Sequence, residues 1–383
     1  MAKHASQFSF SCDLVQQSKD HIIFLRNLHK HGVTLTKPSH EAIRRYSELW
    51  LPLVYSMKQQ NEAESEDLIP PADIAWLWHC HRLAPYRYAN YVQTRFFDNN
   101  EVTDDDDDDD SFKVLDASHP FMFQLENNDE NETLDPTLLG HTFKTCKRTI
   151  ELFHQMYPDE TFFLTNNIGT EECFPGAKID GFDVIKSCYR QASFLWQVSG
   201  DNFCNDEFLC QGVENYTKFV RLMGQKQSPQ FLVPTYQVDL MWRSHMLSSI
   251  ANYHKDNIRM NGSTLEHNDS LNDRTEGGKL DTNFQATRKM WREVYGDEYK
   301  VHGGMYRGEP PVEYFKPDWP DQCLRGNIGK PNLLNGVAVV HLIGQVGASS
   351  HGEKVWMSFV VSAAIGVNSN EQRDGYVFGK GGK

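Results

Sequence analysis

The chain has 383 residues, of which 39% are hydrophobic and 23% charged, and its formal net charge is −14 at pH 7. This composition is typical of a folded globular protein with one large core or two ordinary ones. The negative charge disfavours binding to RNA, DNA or an anionic membrane, because clustered Lys and Arg hold such ligands. We therefore expect a soluble protein whose partner is another protein or a small molecule.

Targeting and redox signals are weak throughout the chain. Its first residues lack the basic and then apolar pattern of a secretory signal, and the longest apolar segments, 337–346 and 355–367, are too short to span a bilayer. The eight cysteines are scattered and form no CxxC pair, so disulfides and a zinc knuckle are poorly supported. These features predict a cytoplasmic or nuclear location, no membrane association and reduced thiols.

The N-terminal part of the chain shows the apolar spacing of successive helices. Residues 11–31 place apolar side chains on one face and end at Gly32, which favours a left-handed helix cap. A second helix is predicted to begin near Pro38 and to kink at Pro52, where the proline ring removes a backbone hydrogen bond. Both helices are expected to support the segment that follows.

That segment, IPPADIAWLWHCHRLAPYRYANY at residues 69–91, is the first copy of a motif. A proline near its first turn and apolar residues at i, i+3 and i+4 predict a helix, which Pro85 should end. His81 lies on the apolar face of this helix. His79 lies about 200° around the axis from His81, so the pair cannot chelate one metal from one regular helix.

Beyond the motif, a short helix is predicted at 86–97, and an acidic linker at 99–135 contains seven consecutive aspartates. From residue 331 onward, β-branched and aromatic runs divided by Gly and Ser predict strands. Between the linker and these strands, helical spacing recurs in segments at 136–157, 182–199, 207–223 and 281–295.

A second copy of the motif begins 164 positions after the first, as VPTYQVDLMWRSHMLSSIANY at residues 233–253. It aligns Trp78 with Trp242 and His81 with His245, but it has no proline to end its helix. The helices before the two copies also correspond in pattern. These correspondences indicate an internal duplication.

The prediction is therefore a mainly α fold with two pseudo-repeated three-helix units around the paired Trp/His motif helices, plus a small β-rich C-terminal segment. The motif helices should pack centrally and turn their paired residues toward a common interior. The predicted boundaries are a first repeat at 1–98, an acidic linker at 99–135, a second repeat with an extra helix and a Met-Tyr-Arg-Gly loop at 136–330, and the β-rich segment at 331–383.

The paired motif supplies the candidate functional residues. If the two copies face each other, His81, His245 and His79 converge in an apolar cleft, where imidazoles can act as acids and bases. The same three histidines are candidate ligands of a divalent metal, but a metal would need further ligands from other helices, and we expect none. The candidate ligand-binding residues border this cleft and are Trp78, Trp242, Arg243 and Tyr88.

A structural interpretation competes with this one. Each motif histidine could be neutral, with one N–H donated to a buried acceptor and the ring packed against aromatic neighbours. Asp73 and Asp239 would then mainly favour the dipoles of their helices from the first turn. Cys80 lies between two histidines, but adjacent helical residues point about 100° apart, which favours a small buried thiol over a nucleophile.

Three segments resemble a known family. ADIAWLWHCHRLAPYRY, LVPTYQVDLMWRSHML and KLDTNFQATRKMWREVYGDEY with the following GGMYRG are similar to successive blocks of the glycine-rich domain-containing proteins of plants and fungi. The resemblance covers residues 13–308, and the WHxHxLxPxxY signature at 78–88 is its most specific part. It implies association with development, hormone and stress responses, and for some members an RNA-binding-like motif and a glycine-rich tail.

The chain departs from that family pattern in its second signature and in its tail. Arg243 stands where the family tends to have histidine, Ser249 replaces the proline, and Tyr253 comes one position late. The tail is reduced to a few glycines near 379–382. GYVFGKGG at the C-terminus resembles an RNP1 element only faintly, since the Lys/Arg-Gly-Phe opening and second aromatic are missing, and RNA binding is not expected.

Two functional hypotheses remain open from the sequence. The first is an intracellular regulatory or interaction module, in which His81 and His245 are satisfied separately within the core. The second is an enzyme of specialised metabolism with a histidine-lined pocket between the repeats, bordered by Trp78 and Trp242. The first predicts no pocket that contains both imidazoles, whereas the second predicts an enclosed cavity with at least one shifted histidine pKa.

Overall fold

The computed structural model describes the following residues of the chain: 8–35, 37–60, 68–97, 113–126, 147–164, 178–225, 231–267 and 275–316, and the backbone of 331–334, 337–350 and 353–366. The run of seven aspartates, the start of the helix predicted at 136–157 and the RNP1-like sequence lie outside these residues. Helices form most of the described structure before residue 331, and the predicted mainly α class is confirmed.

Five α-helices are described in the first half of the helical part. They are α1 (Leu14–Lys30), α2 (His40–Arg44), α3 (Leu51–Gln60), α4 (Ala72–Arg82) and α5 (Pro85–Val92). The Asp13 carboxylate caps α1 by accepting hydrogen bonds from two backbone N–H groups, and Gly32 follows the helix with φ of 74°. Pro85 begins α5 and thereby separates it from the motif helix α4, as the sequence predicts.

The expected kink at Pro52 takes a different form. Residues Arg45–Trp50, between α2 and α3, form a π-helical turn. Pro52 has no N–H for the carbonyl of Glu48 and its ring crowds that carbonyl, so the backbone before it widens into a π turn. The change in helix geometry therefore lies in the turn before the proline.

The other α-helices described before residue 331 lie in the second half of the helical part. They are α6 (Lys147–Met156), α7 (Val184–Ala192), α8 (Phe194–Val198), α9 (Asp206–Met223), α10 (Tyr236–Ser248), α11 (Ile250–Asn261) and α12 (Lys279–Tyr295). The single helix predicted at 182–199 is thus divided at Ser193. Helix α11 ends at Gly262, which has φ of 75°.

The end of the second motif helix α10 corrects an expectation. No proline is present, yet α10 stops at Ser248 because Ser249 is extended, with φ of −166° and ψ of 121°, and caps α11. The Asp116 carboxylate accepts hydrogen bonds from the Ser249 hydroxyl at 2.7 Å and the Ile250 N–H at 2.7 Å. A serine and a distant carboxylate therefore do here what Pro85 does in the first half.

The strands are few and antiparallel. In the helical part, β1 (Lys178–Ile179) and β2 (Phe182–Asp183) form a hairpin directly before α7. Its turn places Asp180 at φ of 46° and Gly181 at φ of 77°, the left-handed conformations that two-residue hairpins favour. In a separate C-terminal unit, β3 (Pro331–Leu334), β4 (Val337–Ser350) and β5 (Glu353–Gly366) form one sheet in the order β3-β4-β5.

Helix α1 packs against the motif helix α10, and α7, the helix that corresponds to α1 in sequence pattern, packs against the motif helix α4. From α1, Ser18 lies 3.2 Å from the Met241 sulfur of α10. From α7, the Ser187 hydroxyl lies 3.4 Å from the Cys80 carbonyl of α4. The two motif helices are therefore enclosed at the centre of the helical part, as predicted. Among the described residues, no helix is both long and apolar enough to cross a bilayer.

Candidate functional site

The motif helices lie in the core along their whole length. Every residue of α4 is buried, and so is every residue of α10 from Gln237 to Leu247. The candidate histidines are almost completely inaccessible: His79 is 1% exposed, His81 0% and His245 1%. Such burial disfavours charged imidazoles, and it is the main cause of the lowered histidine pKa values described below.

His81 has one polar partner and an aromatic surround. Its Nδ1 lies 3.0 Å from the Tyr46 hydroxyl, and the Phe182 ring of β2 stacks on the imidazole at 4.9 Å between centroids. The other nitrogen, Nε2, is buried without a hydrogen-bond partner among the described residues. Burial lowers the pKa of His81 to about 3, so the imidazole is neutral.

His245 has the same first partner and an additional second one. Its Nδ1 lies 3.0 Å from the Tyr216 hydroxyl, and its Nε2 lies 3.1 Å from the Asp256 carboxylate. A carboxylate only accepts, so Nε2 carries the proton and Nδ1 accepts from the tyrosine. Burial lowers the pKa of His245, and Asp256 opposes that shift.

Asp256 completes a three-member chain with Tyr216 and His245. Burial alone would raise the pKa of the Asp256 carboxyl, but hydrogen bonds from His245 and from the Ser11 backbone N–H hold it at about 2. The carboxylate also accepts a bond from Arg259 at 2.6 Å. An aspartate, a histidine and a hydroxyl in series can orient an imidazole and stabilise a positive charge on it.

The motif tryptophans are structural donors in both halves. The Trp78 indole N–H donates to the Tyr88 hydroxyl at 2.8 Å, and that hydroxyl donates to the Leu115 carbonyl. In the second half, Trp242 donates to Tyr253 at 2.9 Å, and Tyr253 in turn donates to the Leu265 carbonyl at 2.8 Å. The late position of Tyr253 preserves the bond because the extended Ser249 adds one residue before it.

His79 is connected to the second motif helix α10 through His21. Its Nε2 lies 2.9 Å from Nε2 of His21 on α1, and the other nitrogen of His21 lies 3.1 Å from the Ser244 hydroxyl of α10. Burial lowers the pKa of His21 to about 3 and that of His79 well below its usual value. The two neutral imidazoles therefore share one N–H between them.

Arg243 is buried in an ion pair, although the sequence places it at a pocket rim. Its guanidinium lies 3.0 Å from Asp239 and 4.0 Å from the centroid of the Phe194 ring. Arg243 also donates to the Gln191 side chain of α7. His267 connects this cluster to α4, since its Nδ1 is 3.0 Å from the Leu83 carbonyl and its Nε2 is 3.4 Å from Asp239.

The polar contacts of His81 and His245 are to separate residues. Neither of two cavities found among the described residues is lined by either imidazole. One holds about 10 Å³, beside Asp73 and Trp76, and the other is a cleft of about 390 Å³ beside Trp291. The shared histidine pocket therefore stays a prediction. The described residues contain no group of three or more His, Cys, Asp or Glu side chains placed to hold a metal ion.

Several residues of these networks were missed by sequence reasoning. Tyr46 and Tyr216 occupy matching positions in YSELW and YTKFV, so an alignment of the helical segments that precede the two motifs could have found them. His21, Asp256 and His267 carry no such signal, because their counterparts in the other half are different residues. Their roles depend on contacts between helices that are distant in the sequence.

Comparisons with known proteins match the segments that carry both motif helices. A family model described as glycine-rich domain-containing protein-like matches residues 1–90 and 140–256. Glycine-rich domain-containing proteins 1 and 2 of Arabidopsis thaliana are each 32% identical over 80% of this chain. The chain spans 35% and 36% of their lengths, about a third. No solved structure gives a significant match. With its model covering both motif helices, the chain belongs to the glycine-rich domain-containing protein-like family.

Proposed function

We propose that the chain is a non-catalytic intracellular interaction module, with a regulatory role in development or stress responses of the kind that the family resemblance implies. The observation that carries this proposal is the hydrogen bond between a buried tyrosine and each motif histidine, Tyr46 with His81 and Tyr216 with His245. These bonds join the π-helical turn Arg45–Trp50 to α4 and helix α9 to α10. The histidines thereby support a fold whose outer surfaces remain available to partners.

Burial argues against catalysis at the motif. A substrate would have to reach imidazoles that are 0% and 1% exposed, through a core packed with aromatic rings. A general acid or base works best with a pKa near the working pH, whereas burial lowers the pKa of His81 to about 3. A neutral imidazole that bridges two helices is the role that these properties favour.

The test is to replace each histidine and measure stability and metal content together. His81→Ala and His245→Ala should each lower the free energy of unfolding by about 2–4 kcal/mol, because each leaves a cavity and an unpaired tyrosine hydroxyl. Elemental analysis of the purified wild-type chain should find no stoichiometric metal. A variant that unfolds like the wild type but has lost a bound metal or ligand would overturn the proposal.

A second candidate function, an acid–base enzyme, is favoured by the Asp256–His245–Tyr216 chain alone. The carboxylate orients His245 and would stabilise it if it took up a proton. On this hypothesis Asp256→Asn would abolish a turnover while the variant remains folded. On the interaction hypothesis the same substitution changes stability only.

A further inference from the structure

A short segment before α1 covers the His245 cluster. We call residues Phe8–Cys12 the N-terminal strap; they form no helix or strand. The Phe10 ring stacks on Tyr216 at 5.5 Å and meets the His245 ring edge-on at 5.0 Å. Phe8 packs against Phe10 at 5.0 Å. The strap thus places two aromatic rings on one face of α9, α10 and α11.

Two charged side chains of α11 form hydrogen bonds with the backbone of the strap. The Ser11 N–H donates to the Asp256 carboxylate at 2.8 Å, and Arg259 donates to the Ser9 carbonyl at 2.8 Å. The Arg259 guanidinium also lies 5.0 Å from the centroid of the Phe8 ring. Backbone hydrogen bonds combined with slots for alternate side chains are the means by which proteins recognise extended peptides.

The equivalent cover in the first half is built differently. Phe182 stacks on His81 from within the β1–β2 hairpin and is only 8% exposed. In the strap, Phe8 and Phe10 are half-buried and Ser9 and Ser11 are exposed. Segments with exposed backbone bonds and few buried contacts open at the lowest free-energy cost. The strap is therefore the cover that a competing ligand can displace.

From this geometry we infer that the strap occupies a peptide-binding groove between α9 and α11, whose other occupant is an extended segment of a partner protein with the pattern aromatic-x-aromatic. The inference rests on the proposed function and locates the interaction site of that module. The first ring would lie against Arg259 and the second between Tyr216 and His245. The strap competes for the groove as a tethered ligand.

The chemistry of the groove defines what the partner must carry. Its second aromatic ring must be planar and apolar, because it stacks on Tyr216 and shields the His245 edge. The carbonyl between the two aromatics must face Arg259. The N–H after the second aromatic must face Asp256. A proline at that last position would remove the donor and should not be accepted.

The experiment uses a chain that lacks residues 2–11, which keeps the Asp13 cap and all of α1. The probe is a fluorescein-labelled peptide of residues 7–13 that carries Cys12→Ser, and binding is followed by anisotropy. The strap-less chain should bind it saturably. The intact chain should bind at least about ten-fold more weakly, because a tethered segment has an effective concentration of about 1 mM.

Matched controls locate the binding in the groove. A peptide with Phe10→Ala should bind at least about ten-fold more weakly, since it lacks the stacked ring. In the strap-less chain, Arg259→Ala should weaken binding. Lys255→Ala should not, although Lys255 is an exposed cation on the same helix. Equal effects of the two substitutions would show general charge attraction and overturn the assignment.

If the strap-less chain does not fold, the full-length variant Phe10→Ala provides a second test, because its strap lacks the ring that occupies the groove. This variant should retain its helical circular dichroism signal and bind the wild-type peptide in trans. Three outcomes overturn the inference: a folded strap-less chain without peptide binding, a folded Phe10→Ala chain without it, or loss of helical signal in both variants. The last outcome would make the strap an integral part of the fold.

Two further outcomes distinguish the groove from self-association and from failure of the proposed function. A dimer of the intact chain that disappears in Phe10→Ala would identify the strap of a second copy as the occupant and overturn the assignment to a separate partner. If the peptide does not bind but His81→Ala and His245→Ala destabilise the chain without metal loss, the groove is wrong and the proposed function stands. Stoichiometric metal would instead remove the proposed function.

Discussion

His81 and His245 have the same kind of partner at Nδ1 but different surroundings at Nε2. Both imidazoles face a buried tyrosine hydroxyl at 3.0 Å through Nδ1. At Nε2, however, His245 meets the Asp256 carboxylate, whereas Tyr91 takes that place in the first half and leaves Nε2 of His81 without a partner among the described residues. The tyrosine bond is thus the common structural element, and the carboxylate is particular to the second half.

This difference extends outward to the surface. Asp256 connects His245 to Ser11 of the strap and to Arg259, which is more than half exposed. His81 ends against the stacked ring of Phe182 in a closed apolar environment. The first motif is therefore enclosed in the core. The second motif is connected through Asp256 to a segment at the surface. Interaction chemistry is expected only in the second half.

The largest expected effect is acid destabilisation. His21, His79, His81 and His245 have pKa values lowered by burial in the folded chain, while in the unfolded chain they titrate near 6.5. Below that pH the unfolded state binds more protons, so the free energy of unfolding should fall by about 1.4 kcal/mol per pH unit for each histidine. Urea unfolding at pH 7.5, 6.5 and 5.5 would measure the slope.

Substitution of single histidines should show how much each half contributes to the pH dependence of the unfolding free energy. His81→Gln should reduce the pH dependence of the unfolding free energy by about 1.4 kcal/mol per pH unit, the contribution of one histidine. His81 makes this full contribution because no carboxylate opposes the effect of burial on its pKa. His245→Gln should remove less, because Asp256 offsets part of the shift. Stability that is flat between pH 7.5 and 5.5 would contradict buried neutral histidines.

The next largest effect tests the carboxylate that distinguishes the halves. Asp256→Ala leaves the His245 N–H and the Ser11 N–H unpaired, and it should lower the free energy of unfolding by about 3 kcal/mol. Tyr91→Phe, at the matching place in the first half, removes a hydroxyl that bonds Arg95 and not His81. We expect a cost below about 1 kcal/mol there. Comparable costs in chemical denaturation would show that the halves do not differ as described.

Much of the helical scaffold was predictable from local patterns. Gly32 and Pro85 mark the helix boundaries that the structure has, because their backbone preferences act within one turn. The burial of both motif helices followed from their apolar spacing. Ser249 was missed as a helix stop, since the carboxylate that fixes it, Asp116, lies 133 positions away.

The candidate site was predictable only in part, for the same reason. The motif repeat located His81 and His245, but their partners come from other helices, and nothing in the spacing specifies which ones. His79 was expected beside the other motif histidines, whereas its partner is His21 of α1. Helix α1 packs on the second motif helix and α7 packs on the first, and this exchange depends on tertiary packing that a repeat in sequence does not encode.

A smaller effect tests the element that the halves share. Tyr46→Phe and Tyr216→Phe each remove one buried hydroxyl and leave Nδ1 of a histidine unpaired, so each should cost about 2 kcal/mol of unfolding free energy. The measurement is guanidinium unfolding of both variants and of the double variant. Similar single costs would support an equivalent role in both halves. A loss confined to Tyr216→Phe would mean that the bond matters only where Asp256 fixes the imidazole.

The smallest effect concerns how each motif helix is ended. Asp116→Ala removes the acceptor for the Ser249 hydroxyl and for two N–H groups at the start of α11, so it should cost about 1 kcal/mol. Asp116→Asn keeps one acceptor oxygen and should cost less. Hydrogen exchange should locate the loss, with faster exchange in the first turn of α11 and no change at α5, whose start is set by Pro85. Equal acceleration at both helices would show that Asp116 supports the whole core, because a local cap cannot reach the first half.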